Sequence, residues 1–183
     1  MMQLNEIKFA EIGLEEKEEL AEWLSRDTWD NFTSPAISYD SAMKWIEQGA
    51  FHGDDKKSFW IISHGERVGL LQLNDLFDST AMFDIRINTK YRGSGIGRHA
   101  LRWLTKYGFE NHPNMVRIEA NTRADNIGMR RVLRACGYVK EAHYRDAWHT
   151  VEEADVWLDG VAYAILRRDW LNDTTTPVRW DDE

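Results

Sequence analysis

The residues best suited to chemistry are the glycines of Tyr91-Arg92-Gly93-Ser94-Gly95-Ile96-Gly97. Glycine lets a backbone approach a ligand closely, and successive N–H groups at the start of a helix attract an anion. The turn therefore reads as a phosphate cradle. Spacing tests two familiar nucleotide patterns against it. A dinucleotide fingerprint, G-x-G-x-x-G, fails because the residue three after Gly95 is Arg98 and Gly97 falls one position early. A G-x-x-x-x-G-K phosphate loop fails because the fifth residue after Gly93 is again Arg98. Glu119 ends up roughly where a dinucleotide site would carry its ribose-binding acid, but the segment upstream alternates as an antiparallel meander. Too few parallel strands are left for a doubly wound sheet.

Other reactive side chains offer less. The lone Cys136 excludes an intramolecular disulfide or a cysteine-rich zinc site, and no base neighbours it in sequence. His52, His64, His99, His112, His143 and His149 lack metal-like spacing, so no metal is expected. A reducing, cytoplasmic setting fits the single cysteine. Residues 1–22 hold no apolar run of signal-peptide length, and no stretch approaches the roughly 18 apolar residues of a membrane span, so neither secretion nor membrane insertion is expected.

The formal charge of −8 over 183 residues conceals an asymmetry. Between residues 86 and 140 twelve Lys and Arg side chains face only Glu110, Glu119 and Asp125, whereas the rest of the chain is strongly acidic. A basic zone within an acidic protein suits one compact anion, because the surrounding acids would repel a long polyanion such as duplex DNA. The ordinary alternative is that these bases form solvated helix faces. The acidic remainder would favour a cationic partner.

The elements that must position these groups follow from periodicity. Ile7–Ile12 alternates as a strand, and Leu14–Leu24 has helical spacing. Ser41–Gln48 reads as a helix with Asp40 as its N-cap. Ser58–Ser63, Arg67–Leu73 and Ala81–Ile87 read as strands, the first two joined by a turn at His64-Gly65-Glu66. After Ile87 the period lengthens to about 3.6 residues over Gly95–Glu110. Then come a strand at Met115–Ala120, a helix at Asn126–Cys136 closed by Gly137, and a strand at Tyr138–Tyr144. Acidic residues around Glu152 to Asp155 connect to a last strand, Val161–Leu166. The pattern predicts one α/β (mixed α+β) domain with a central, mostly antiparallel sheet of about seven strands and helices on both faces.

At this point the chain resembles a family. Arg92-Gly93-Ser94-Gly95-Ile96-Gly97 is similar to the R/Q-x-x-G-x-G/A diphosphate loop of the GNAT N-acetyltransferases. Asn126, ahead of a helix ending in Ala135-Cys136-Gly137-Tyr138, looks like the family's second motif. Ile118-Glu119-Ala120-Asn121 with Asp125-Asn126, and the closing stretch from Tyr163 to Trp170, resemble the Rim-type branch that acetylates ribosomal-protein N-termini. The resemblance spans about residues 5–171 of a single domain over 1–183, leaving a tail at 172–183.

What the resemblance implies can be set out residue by residue. The strand before the loop is bulged in the family and splays from its neighbour, so the main chain of Ile85, Arg86 and Ile87 would pair with the pantetheine arm of acetyl-CoA. Arg92, Gly93, Ser94, Gly95, Ile96 and Gly97 would hold the diphosphate, chiefly through backbone N–H groups. Arg98, Arg130, Arg131 and Arg134 are candidates for the 3′-phosphate, or for no contact. Asn126 would bond the arm, cap its helix, or both. Many relatives carry a Tyr acid seven residues after that Asn, but here the position is Leu133. Glu119 is the first candidate for the base that deprotonates the amine, in competition with a role as a strand carboxylate paired with an arginine. Asp84 is the alternative base, and Asn121 a water-positioning group. Trp29, Phe32, Tyr39 and Trp45 fall where relatives frame the acceptor groove, or else fill the core.

The function so implied is transfer of an acetyl group from acetyl-CoA, as co-substrate, to a primary amine of a peptide, protein or small molecule. A non-catalytic acyl-CoA-binding or sensing module is the alternative. No membrane or nucleic-acid partner is expected, and a homodimer is left open.

Overall fold

A strand with consecutive apolar side chains must be buried on both faces, because neighbouring residues point to opposite sides of the sheet. Phe59-Trp60-Ile61 is such a run, and in the computed structural model, which describes residues 7–149 and 156–180, all three side chains are buried. The elements run β1 (Ile7–Glu11), α1 (Lys17–Ser25), α2 (Tyr39–Glu47), β2 (Lys57–Ser63), β3 (Glu66–Asn74), β4 (Thr80–Ile87), α3 (Ile96–Asn111), β5 (Arg117–Arg123), α4 (Ile127–Ala135), β6 (Val139–His149), β7 (Trp157–Leu166) and α5 (Arg167–Asn172). Phe59 and Ile61 pack with Leu101, Leu104 and Phe109 of α3. Trp60, pointing the other way, packs with Leu20 and Leu24 of α1 and Ala42 and Ile46 of α2. Two cores on opposite faces of one sheet thus follow from the β2 sequence.

The seven strands lie in the order β1-β2-β3-β4-β5-β7-β6, and every neighbouring pair is antiparallel except β4 and β5. The β2–β3 turn places His64 at φ 51° and Gly65 at φ 78°, the two left-handed residues of a tight hairpin turn.

Several boundaries differ from the sequence expectations. The first helix opens with a 3-10 turn, Leu14–Glu16, in which the Gly13 N–H donates to Glu16 Oε2 at 3.0 Å. The cap of α2 is Ser38, whose hydroxyl accepts from the Ser41 N–H at 3.2 Å, so Asp40 lies inside the first turn. β5 starts at Arg117 because the N–H groups of both Val116 and Arg117 are drawn to the Ser79 carbonyl. β6 and β7 are longer than expected, and α5 was not anticipated. The acidic connection around Glu152 to Asp155, residues 5–6 and the last three tail residues lie outside the described residues.

The feature that matters most for a site is the β4–β5 pair. These parallel strands are in register only at Thr80↔Arg117, Ala81↔Ile118 and Met82↔Glu119. Both then continue, β4 to Ile87 and β5 to Arg123, without a partner between them. The expected splay is present. The expected bulge is not: β4 stays in unbroken register with β3 from Asn74↔Met82 to Gly69↔Ile87, and the irregularities lie elsewhere, at Ile61/Ile62 in the β2–β3 pair and at Lys140/Ala142 and Tyr144/Trp148 in the β6–β7 pair.

Candidate active site

The gap between β4 and β5 opens into a cavity of about 550 Å³. Phe83 to Ile87 form one wall and Ala120 to Thr122 the other. The glycine turn with Tyr91 and Arg98, one side of α4 from Gly128 to Ala135, the segment from Trp29 to Phe32 and Trp148 of β6 complete the lining. Phe83, Ile85 and Ile87 pack toward α3 and α4, so the alternating Asp84 and Arg86 face the side occupied by α1 and α2. The cavity thus passes through the sheet and joins a glycine-rich side to an acidic and aromatic side.

On the first side, Gly93 and Gly95 adopt φ values of 75° and 92°. A side chain at 93 would meet nothing within 4 Å, so glycine is needed there for its backbone angle rather than for space. Gly95 caps α3 and offers no side chain to the first N–H groups of that helix. Unsatisfied N–H groups carrying the positive end of a helix dipole suit a diphosphate. Arg98 and Arg131 also line the cavity, whereas Arg130 is turned to the Ala124 carbonyl at 2.5 Å.

Not every residue of the turn faces the ligand space. Ile96 is buried in the core, and the Ser94 hydroxyl donates to the Tyr91 carbonyl at 2.6 Å. Arg92 lines the cavity but is heavily engaged. Its N–H bonds the Thr89 carbonyl at 3.3 Å, and its guanidinium donates to the carbonyls of Ile87 at 3.0 Å and Thr28 at 2.7 Å. Asn126 caps α4 by accepting from the Met129 N–H at 3.1 Å and donates to Thr122 Oγ1 at 3.0 Å. It also borders the cavity, with one N–H and one lone pair still unassigned.

The carboxylates separate by environment. Glu119 accepts from Arg117 at 2.7 Å and from Asn121 at 3.3 Å, while Arg117 also pairs with Glu141. It is not among the cavity-lining residues; Asp84 and Asn121 are. Burial pushes the Asp84 carboxyl above the ordinary range against the opposing pull of Arg86, whose guanidinium lies 3.5 Å away. Arg86 is itself buried, with the Phe32 ring 3.8 Å from its guanidinium carbon. Leu133 is fully buried in the core, and Cys136 is half-buried with its thiol pushed up by burial.

Of the aromatic residues singled out from sequence, Trp29 and Phe32 reach the cavity; Tyr39 and Trp45 do not line it. Sequence reasoning missed Asp30, Asn31 and Trp148 as lining residues. The first two lie between Trp29 and Phe32, a position that could have suggested them, whereas nothing in the sequence around Trp148 pointed to the site.

The family described as Acetyltransferase (GNAT) domain matches residues 7–139. No curated protein matches the sequence significantly. Among solved structures, the spermidine N-acetyltransferase from Vibrio cholerae in complex with CoA and spermine superposes with a TM-score of 0.75 at 18% identity, covering 92% of this chain and 99% of that one. A probable acetyltransferase gives 0.71 at 24%, covering 92% and 98%. A GNAT-family acetyltransferase from Bacillus anthracis gives 0.72 at 19%, covering 91% and 98%.

Proposed function

This chain belongs to the GNAT acetyltransferase family, and on that premise we propose that it transfers the acetyl group of acetyl-CoA to a primary amine by direct attack. The observation that carries the reading is the unpaired stretch of β4 beside β5, which opens a passage from the glycine turn to Asp84. The exposed N–H groups at the start of α3 would receive the diphosphate, and the main chain of Ile85 to Ile87 would hold the pantetheine arm. The thioester would then lie in the passage between the strands.

In the proposed reaction the neutral amine nitrogen attacks the thioester carbonyl. A C–N bond forms, the C–S bond breaks, the attacking nitrogen releases its surplus proton to water, and the thiolate leaves to be protonated by solvent. Asp84 accepts the ammonium proton, directly or through a water held by Asn121; its raised affinity for protons brings it closer to the working range of a base. Its position on the cavity wall favours it over Glu119, whose carboxylate is tied to Arg117. The Rim-type reading of the acceptor as a peptide or protein N-terminus rests on the motifs around Glu119 and Asn126, and small amines belong to the same chemistry. The cytoplasm is the compartment we assign, from the single cysteine.

A non-catalytic acyl-CoA-binding role has one observation in its favour: buried Leu133 stands where relatives carry an acid. A thiol-release assay with acetyl-CoA distinguishes the two, using peptide α-amines, polyamines and aminoglycosides as acceptors and mass spectrometry of the products. Amine-dependent CoA release with an acetylated amine is expected. Binding of acetyl-CoA without turnover on any acceptor would replace the enzymatic reading with the sensing one.

A further inference from the structure

The segment from Asp27 to Phe32 follows α1, and its Trp29 to Phe32 stretch lines the cavity on the side of α1 and α2. It is fastened at both arms of the splayed strands. On the β4 side, one Asp27 carboxylate oxygen accepts from the Thr89 N–H at 2.6 Å and Asn88 Nδ2 at 3.1 Å. The other accepts from Thr89 Oγ1 at 2.7 Å and the Thr28 N–H at 2.8 Å. Burial alone would push the Asp27 carboxyl up, but these donors outweigh it and hold the group below the usual range. Arg92, at the head of the glycine turn, donates to the Thr28 carbonyl at 2.7 Å and reaches Asp30 at 3.4 Å.

On the β5 side, Arg123 donates to the Asp30 carbonyl at 2.8 Å. The same guanidinium forms a two-pronged bond with Asp125, at 3.0 and 2.7 Å, immediately before the Asn126 cap of α4. One short segment is therefore tied to the glycine turn through Arg92 and to the second motif through Arg123. It spans the open end of the gap between β4 and β5. Within the segment, Trp29 is anchored by its indole N–H to the Leu24 carbonyl at 2.8 Å, and its own N–H bonds Pro35 at 2.7 Å.

We infer that Arg92, Arg123 and Asp27 are positioning residues for the acceptor, which hang the Trp29–Phe32 wall across the mouth of the passage from the two motifs that receive the cofactor. The inference builds on the proposed acetyl transfer. It separates the first residue of the glycine turn from its glycines: Gly93, Gly95 and Gly97 face the cofactor, while the Arg92 side chain serves the other substrate. A guanidinium's planar fork can reach the Ile87 and Thr28 carbonyls and Asp30 together, which an ammonium at the same position cannot do.

The test compares wild type with Arg92→Gln, Arg123→Gln and Asp27→Asn. It measures hydrogen exchange of residues 27–32, CoA affinity by calorimetry, and kcat and KM with spermine and with a short peptide bearing a free α-amine. The expected result is at least fivefold faster exchange at 27–32 in each variant, CoA affinity within threefold of wild type, and an acceptor KM raised about tenfold with a smaller loss in kcat. Arg92→Lys should not restore the acceptor KM. Unchanged exchange at 27–32 together with a tenfold or greater loss of CoA affinity in Arg92→Gln would make Arg92 a cofactor ligand and overturn the inference. If wild type turns over neither amine, the acetyl-transfer reading is the one in question, and the exchange and CoA measurements still decide whether the tether exists.

Discussion

Asp84 and Glu119 lie on adjacent strands and are equally able, as bare carboxylates, to accept a proton; their neighbours give them different work. Glu119 is held by Arg117 and Asn121, whereas Asp84 faces the cavity with a long contact to Arg86, a backbone bond from Ile85 and a raised proton affinity. A base acts as its carboxylate, so kcat/KM should fall as pH drops through the raised pKa of Asp84, at a higher pH than an ordinary Asp would impose. Asp84→Asn should lower kcat by about 10²- to 10⁴-fold and remove that acidic limb. A variant that keeps both the limb and the rate would transfer the role elsewhere. From sequence Glu119 stands first and Asp84 second, and the proposed order is the reverse, because the residue that ties up the Glu119 carboxylate, Arg117, is one of many arginines whose partners sequence does not fix. Asn126 was easier to recognise, since a helix cap is a local relation between a side chain and the N–H three residues on.

At the scale of elements, the passage depends on how closely β3 holds β4. Gly69 lies opposite Ile87, and a Cβ there would come within 2.6 Å of the Arg86 carbonyl and 2.8 Å of Cδ1 in both Ile61 and Ile87. Because the first of these contacts is backbone, relief requires β4 to shift. Gly69→Ala should therefore destabilise the fold by about 1–3 kcal/mol. Thermal unfolding should show it as a Tm lowered by roughly 2–12 °C for a domain of this size; an unchanged Tm would mean that the strands yield freely. The sheet is largely legible because its cues are local: the apolar run of β3, the alternation in β4, the left-handed His64-Gly65 turn, and the switch to a helical period after Ile87. The start of α2 was misplaced because Ser38 and Asp40 are both good caps and only geometry chooses between them. α5 escaped notice because six residues carry too little periodicity; Arg167 fixes its start by donating to the carbonyls of Phe109, His112 and Met115. The wall from Trp29 to Phe32 was only partly legible, since the ties that locate it join residues 62 and 93 positions apart.

At the scale of the whole molecule, the basic zone between residues 86 and 140 carries the glycine turn, Arg98, Arg131 and Asn126, all of which border one cavity. The acidic remainder supplies Asp30 and, just before the zone, Asp84 on the opposite side of the sheet. The charge asymmetry along the chain thus becomes an asymmetry across the passage, with the glycine turn and two arginines at one end and carboxylates at the other. Affinity for an anionic cofactor should weaken as salt screens that end. Calorimetric titration of wild type and Gly95→Trp with CoA tests most directly whether the glycine turn receives the cofactor diphosphate. Gly95 occupies the left-handed region at φ 92°, and a tryptophan there would both strain the turn and fill the space above the start of α3. The account requires saturable binding by wild type and at least a hundredfold weaker binding by a variant whose circular dichroism remains that of the folded protein. Retained affinity in the folded Gly95→Trp variant would contradict it.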